Sequence, residues 1–308
     1  NDLFNKAKRF KLNVMVMEDQ KKPRKTYILD RGAYDQPKKD KVILPGTLAA
    51  LPPMKKEYPK NRLGLAKWIM DEDNPLTARV TVNRYWMMFF GRGLVDTPAD
   101  FGNQGSWPTH PELLDWLAVD FRENGWDVKR TLKQILMSRT YRQDSNLNKK
   151  LLAVDPHNKL YARGPRFRLS GEHIRDTALY LSGLLNPKIG GESVKPFQPK
   201  GLWYELSIDG HRFVQDKGDK NYRKSIYTYY KRSSPIPNMV TFDAPSREKC
   251  TIQRSRTNSP LQALITLNDP IFVEAARFFA ERIMQKGGVS VKNKIDFAFG
   301  SALARKPA

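Results

Sequence analysis

The sequence holds only four histidines, His110, His157, His173 and His211, and none stands in an H-x-x-x-H or H-E-x-x-H spacing. A zinc hydrolase needs two imidazoles four apart on one helix face, so that chemistry lacks its ligands and no metal site is expected. His173 precedes Asp176 by three residues, which places both on one face of a helix. A carboxylate there can orient an imidazole for acid–base work, and His173 and Asp176 are the catalytic candidates. An ordinary surface hydrogen bond is the other reading. Cys250, between Lys249 and Thr251 with Arg247 nearby, sits in a basic setting that favours thiolate; a small packed residue is the alternative. No G-x-S-x-G, Walker or G-x-G-x-x-G pattern occurs.

Arginine is the more informative residue. Arg163, Arg166 and Arg168 fall in YARGPRFRLS, and Arg254 and Arg256 fall in TIQRSRTNSP. Arginines alternating with apolar or hydroxyl residues in an extended segment share one side. Their planar forks match carboxylate, sulfate or phosphate, or else the protein's own Asp and Glu. Asn83 and Arg84 interrupt an otherwise apolar helical stretch, and Gln262 and Asn268 flank the apolar face of LQALITL. Burying such groups unpaired costs several kcal/mol, roughly, so partners are expected nearby. Two readings stay open: polar networks joining helices, or a ligand cleft lined by Asn83, Arg84, Arg254, Arg256 and Asn258.

Composition limits the rest. There are 54 Lys+Arg against 32 Asp+Glu, a net charge of +22, and one cysteine. A single cysteine excludes an internal disulfide and a C-x-x-C-H haem motif in this chain. The longest apolar run, Tyr85 to Phe90, falls far short of the roughly 20 residues that span a bilayer. A strong positive charge concentrates polyanions. Nucleic acid is not expected as the partner, since no recognised motif and no single basic helical stripe accompany the charge. The lysines cluster in the first 60 residues, beside Pro and Asp, where they read as a solvated face.

The elements that would position these groups are mostly helices. Residues 12–18 and 25–31 alternate apolar with polar across QKKPR and read as an N-terminal β-hairpin. Residues 32–61, rich in Pro and Lys, read as an irregular linker. Asn74-Pro75 starts a helix over 76–90 that Gly91 closes, and Thr109 with Glu112 matches a capping box. Asp127, Ser170, Asn258 or Ser259, and Asp269 start further helices, and a last one runs over 291–304. Residues 222–231 (YRKSIYTYYK) read as a strand, although their aromatics also fit a helix. The expected fold is mainly α with a few short β-strands. Residues 1–61 form the tail of an upstream region and 62–308 a mainly helical domain, with a soft internal boundary near 144–155. Both termini read as cuts in a longer or processed product.

The stretches NPLTARVTVNRYWMMFFGRGLVDTPADFG, PTHPELLDWLA, SRTYRQDS, KPFQPKGLW, YRKSIYTYYKR and FDAPSREKCTIQRSRTNSPLQALITLNDP run in order from about residue 62 to the end. Together they resemble a family of uncharacterised domains, the C-terminal domains of secreted planctomycete cytochrome-c-like proteins. The resemblance implies export to the periplasm, outer envelope or exterior. It also implies a c-type haem on an upstream domain, with no cofactor in this chain. That cytochrome-like domain is the expected partner. By association it further implies binding or oxidative processing of an anionic polysaccharide, sulfated or uronic. Arg84, Arg254 and Arg256 would then hold the anion, and Trp107 or Trp203 would offer a flat face to a sugar ring. A non-enzymatic scaffold of a cell-envelope complex is the alternative.

Overall fold

The computed structural model describes residues 15–22, 24–205 and 213–307. Its β-structure is one antiparallel hairpin, β1 (Thr26–Leu29) against β2 (Pro37–Ile43), with Thr26 opposite Ile43 and Tyr27 opposite Val42. The expected hairpin is therefore displaced along the chain. Residues 15–20 carry no strand, residues 12–14 lie outside the described residues, and β2 occupies part of the expected linker. The turn explains the shift. Arg31 and Gly32 adopt positive φ (47° and 80°), a bend that glycine makes cheap, and Asp30 receives Lys38 at 2.7 Å. Most side chains of β2 are exposed, which is how a lysine-rich segment can serve as a strand.

Eleven α-helices follow among the described residues. They are α1 (Arg62–Ile69), α2 (Thr77–Phe90), α3 (Pro111–Glu123), α4 (Val128–Met137), α5 (Lys149–Val154) and α6 (Gly171–Ser182). Then come α7 (Leu202–Glu205), α8 (Pro237–Thr241), α9 (Pro260–Asn268), α10 (Pro270–Lys286) and α11 (Val291–Leu303). The chain divides into two units: residues up to Trp86 with Pro108–Leu136, and Met87–Trp107 with Met137 onward.

In the first unit, side-chain caps set where helices begin. Asn61 Oδ1, on the last residue of the expected linker, accepts the Gly64 N–H at 3.1 Å and starts α1 directly after it. Asn74 Oδ1 accepts from Leu76 and Thr77 and starts α2. Arg79 binds Asp115 at 2.6 Å, tying α2 to α3, and Arg130 binds Asp120, tying α3 to α4. Asp71 forms a knot at the end of α1: it accepts from Tyr58 Oη at 2.5 Å and from the Asp73 N–H at 3.0 Å, with Lys55 Nζ at 3.0 Å. Val82, Asn83 and Trp86 are buried along α2, while Arg84 is exposed. Arg84 thus corrects the expectation of a buried arginine: at 100° per residue it falls on the opposite side from that stripe.

The second unit is centred on α6 packed against α10, with α8 and α9 alongside. Leu179, Phe242, Ile271 and Phe272 form its buried cluster, joined by Ile174, Ala178 and Ile265. Truncating a fully buried leucine such as Leu179 costs about 2–5 kcal/mol. The segment read as a strand at 222–231 is not one. It makes single bridges, Arg223 with Asn186 and Thr228 with Val194, around a 3₁₀ turn at Ser225–Tyr227. Within it, Arg175 takes the Arg223 carbonyl and Asp176 the Ser225 N–H, two groups that a ladder would use.

Candidate functional site

The sequence-predicted residues separate. Asn83, fully buried, and Arg84, exposed, belong to the first unit; the others belong to the second. Trp107 is 91% exposed and presents its ring to solvent. Trp203 is 6% exposed: its indole N–H donates to Gln198 Oε1 at 3.0 Å, and Phe213 and Tyr229 pack on it. Asn258 is exposed and does not line a cavity with the arginines. His211 lies outside the described residues. Cys250 is exposed, not packed.

His173 and Asp176 share α6 but not a hydrogen bond. Asp176 accepts from the Ser225 N–H at 2.8 Å and from Ser225 Oγ at 2.7 Å. The His173 Nδ1 meets Ser170 Oγ at 2.8 Å, the same hydroxyl that caps the helix. With Asp176 so engaged, no carboxylate-oriented imidazole is assembled from the pair.

What does come together is His173, Arg254 and Arg256, on the wall of a cavity of about 610 Å³ within the second unit. The end of α2 supplies Phe89 and Gly91; the segment before α6 supplies Phe167 and Arg168; the segment before α9 supplies residues 251–256. Phe167 and Tyr141 are each 36% exposed, which gives the cavity aromatic surface.

The loop that carries Arg254 and Arg256 is anchored from below. Asp243 receives the Thr257 N–H at 2.8 Å, the Thr257 hydroxyl at 2.9 Å and the Arg168 guanidinium. Arg168 also donates to the carbonyls of Leu169 at 3.0 Å and Thr257 at 3.1 Å. Gln262, buried on α9, donates to the carbonyls of Thr241 and Thr257 at 3.0 and 3.2 Å. Arg168, Asp243 and Gln262 therefore form a polar network that fixes the loop.

The two loop arginines then differ. Arg254 Nη1 binds Glu172 Oε2 at 2.8 Å. Burial pushes the Glu172 carboxyl up, but its own backbone N–H and the Arg254 charge outweigh this and hold it below its ordinary range. Arg256 lies 4.2 Å over the Phe167 ring and donates to Gly91 O at 3.3 Å; among the described residues it makes no ion pair. Burial, with the Arg168 charge adding to it, pushes the Arg256 pKa down. Gly91 makes this approach possible. At φ 75° it suits the end of α2, and a Cβ there would meet Phe167 at 2.8 Å and Arg256 Nη1 at 3.0 Å.

Such an arrangement sets guanidinium donors beside an exposed aromatic surface. A guanidinium already stacked on a ring keeps its edge N–H groups for oxygen acceptors. Sequence reasoning missed Phe167, Gly91 and Asp243 as parts of the site. The alternation in RFR at 166–168 was the available signal for Phe167; Asp243, 75 residues from Arg168, left none.

Among the described residues, no three His, Cys, Asp or Glu side chains gather as a metal site, and no helix is long and apolar enough to cross a membrane. No curated protein and no solved structure matches the chain. The family expected from its motifs does match, from the N-cap of α1 onward: over residues 61–308 the chain belongs to PSD1, a protein family of unknown function (DUF1553) and the domain found in planctomycete cytochrome-c-associated proteins.

Proposed function

We propose that this chain is an exported accessory domain of a larger cytochrome-c-like protein, and that the cavity beside α6 binds an anionic polysaccharide, uronic or sulfated. The observation that carries the reading is Arg256, a guanidinium on the cavity wall that makes no ion pair among the described residues and rests on Phe167. An acidic sugar supplies both missing parts: oxygens for the cation and a C–H face for the exposed aromatic surface. Trp107 adds a second exposed ring in the same unit.

Oxidative processing of that glycan would send its electrons to the haem of the upstream module. It is measured on the full-length protein as haem reduction when the glycan is added. His173 is then the candidate acid–base group at the cavity, because Asp176 is committed to Ser225.

The test is binding of sulfated, uronic and neutral polysaccharides and of duplex DNA at about 0.15 M salt, where exposed charges beyond about 8 Å are screened. The expected result is selective binding of one acidic glycan, weakened at least tenfold in Arg256→Ala and in Arg254→Ala. Equal weak binding of every polyanion, or none, overturns it. The scaffold reading then stands in its place, favoured by the closed pairs Arg168–Asp243 and Arg254–Glu172.

A further inference from the structure

Phe167 and Arg256 also line a second cavity, of about 370 Å³, within the same unit. Four arginines line it, Arg92, Arg163, Arg166 and Arg256, and no Asp or Glu does. We infer that this cavity, which shares Gly91, Phe167 and Arg256 with the cavity beside α6, is a binding site for a tetrahedral oxoanion, a sulfate or phosphate group.

Donor accounting carries the assignment. Arg163 spends Nη1 and Nη2 on the carbonyls of Asp155 at 2.9 Å and Pro156 at 2.8 Å, which fixes its position. Among the described residues Arg166 spends only Nε, on Ser145 Oγ at 3.0 Å. Arg92 places Nε 3.2 Å from Asp96, while its Nη1 is buried with no partner among the described residues. The guanidinium N–H groups of Arg166 and Arg256 therefore exceed the acceptors that the described residues supply. Two carboxylates act on these arginines without lining the cavity, Asp96 on Arg92 and Asp155 on Arg163 and Arg92. Both oxygens of Asp155 are taken, by the N–H groups of Lys159 at 2.8 Å and Leu160 at 2.7 Å. Four cations against these two leave an excess suited to a doubly charged group. A tetrahedral group has acceptors enough for several forks, where a carboxylate has two oxygens.

The wall is also held in shape before any ligand arrives. Asn158, at φ 51°, brackets Arg163 by donating to its carbonyl at 2.8 Å and accepting its N–H at 3.3 Å. Tyr161 donates its hydroxyl to Gly93 O at 2.7 Å, tying this loop to the chain that bears Arg92.

The proposal does not rest on the glycan reading. It is tested by calorimetric titration of inorganic sulfate at constant ionic strength, with chloride as the reference. Arg166→Ala removes an exposed side chain with one internal bond, so folding survives; Arg166→Lys keeps the charge without the fork. The expected result is saturable one-site binding, at least tenfold weaker in Arg166→Ala, only partly restored by Arg166→Lys, and unchanged in Arg254→Ala. No saturable binding, or equal affinity in Arg166→Ala, overturns the site. A second arm uses dextran sulfate: Arg166-dependent binding tighter than that of free sulfate identifies an esterified group as the source, and binding no tighter identifies the free ion. Sulfate binding with no acidic glycan bound would remove the glycan proposal alone; glycan binding lost in Arg254→Ala, with sulfate binding indifferent to Arg166→Ala, would remove this one alone.

Discussion

Arg175 and Arg256 belong to the same unit and do opposite things with the same functional group. Arg175, on α6, is 2% exposed and donates to Arg223 O, Asn221 O and Ser225 Oγ, with the Asp176 carboxylate 3.7 Å away. Burial pushes its pKa down to about 10, and the charges of Asp176 and Asp269 only partly offset that. Its donors point into backbone it must hold. Arg256 has, among the described residues, one carbonyl and one ring. The difference teaches that a buried arginine with its acceptors supplied is a fastening, while an arginine short of acceptors on a cavity wall is available to a ligand.

The comparison breaks most readily at Arg175. Arg175→Met would strand three acceptors around segment 221–225, and a loss of about 3–5 kcal/mol is expected in urea unfolding. A loss below about 1 kcal/mol would mean that the network is not a fastening. Asp243 comes next, since it holds Arg168 and Thr257 and sits at φ 61°. Asp243→Ala removes the acceptors and adds left-handed strain, for about 2–3 kcal/mol; Asp243→Asn, which tolerates that backbone, should lose about half as much. Equal losses would show that backbone strain contributes nothing. The smallest effect is expected at the Arg254–Glu172 pair, where the arginine is exposed and Arg254→Ala should change stability by under about 1 kcal/mol. A larger change would class Arg254 with Arg175.

The helical architecture was legible where short polar side chains mark helix starts. Asn74, Asp127, Ser170 and Asp269 all accept backbone N–H groups at the helices they precede. The start at Pro111 was also legible, although His110 and not Thr109 occupies the cap position. The helix at Arg62–Ile69 was hidden because Pro- and Lys-rich chain runs up to its cap. The aromatic run at 222–231 carries strand propensity, yet Arg175 and Asp176, nearly 50 residues away, take its hydrogen bonds. At the candidate site, alternation placed Arg254 and Arg256 on one cavity wall. Spacing alone could not show that Glu172 would neutralise one and that nothing described would pair with the other, because that depends on which helix comes alongside.

The knot at the end of α1 gives its unit a proton-dependent limit on the acid side. The Tyr58 hydroxyl first, then the Asp73 N–H and Lys55, hold the Asp71 carboxyl down to about 2, against about 3.9 in an unfolded chain. A depressed carboxyl stabilises the fold fully above its unfolded value and loses that contribution as pH falls through the folded one. Between about pH 4 and pH 2, acidification therefore works against a group that resists taking up its proton until the chain around it lets go.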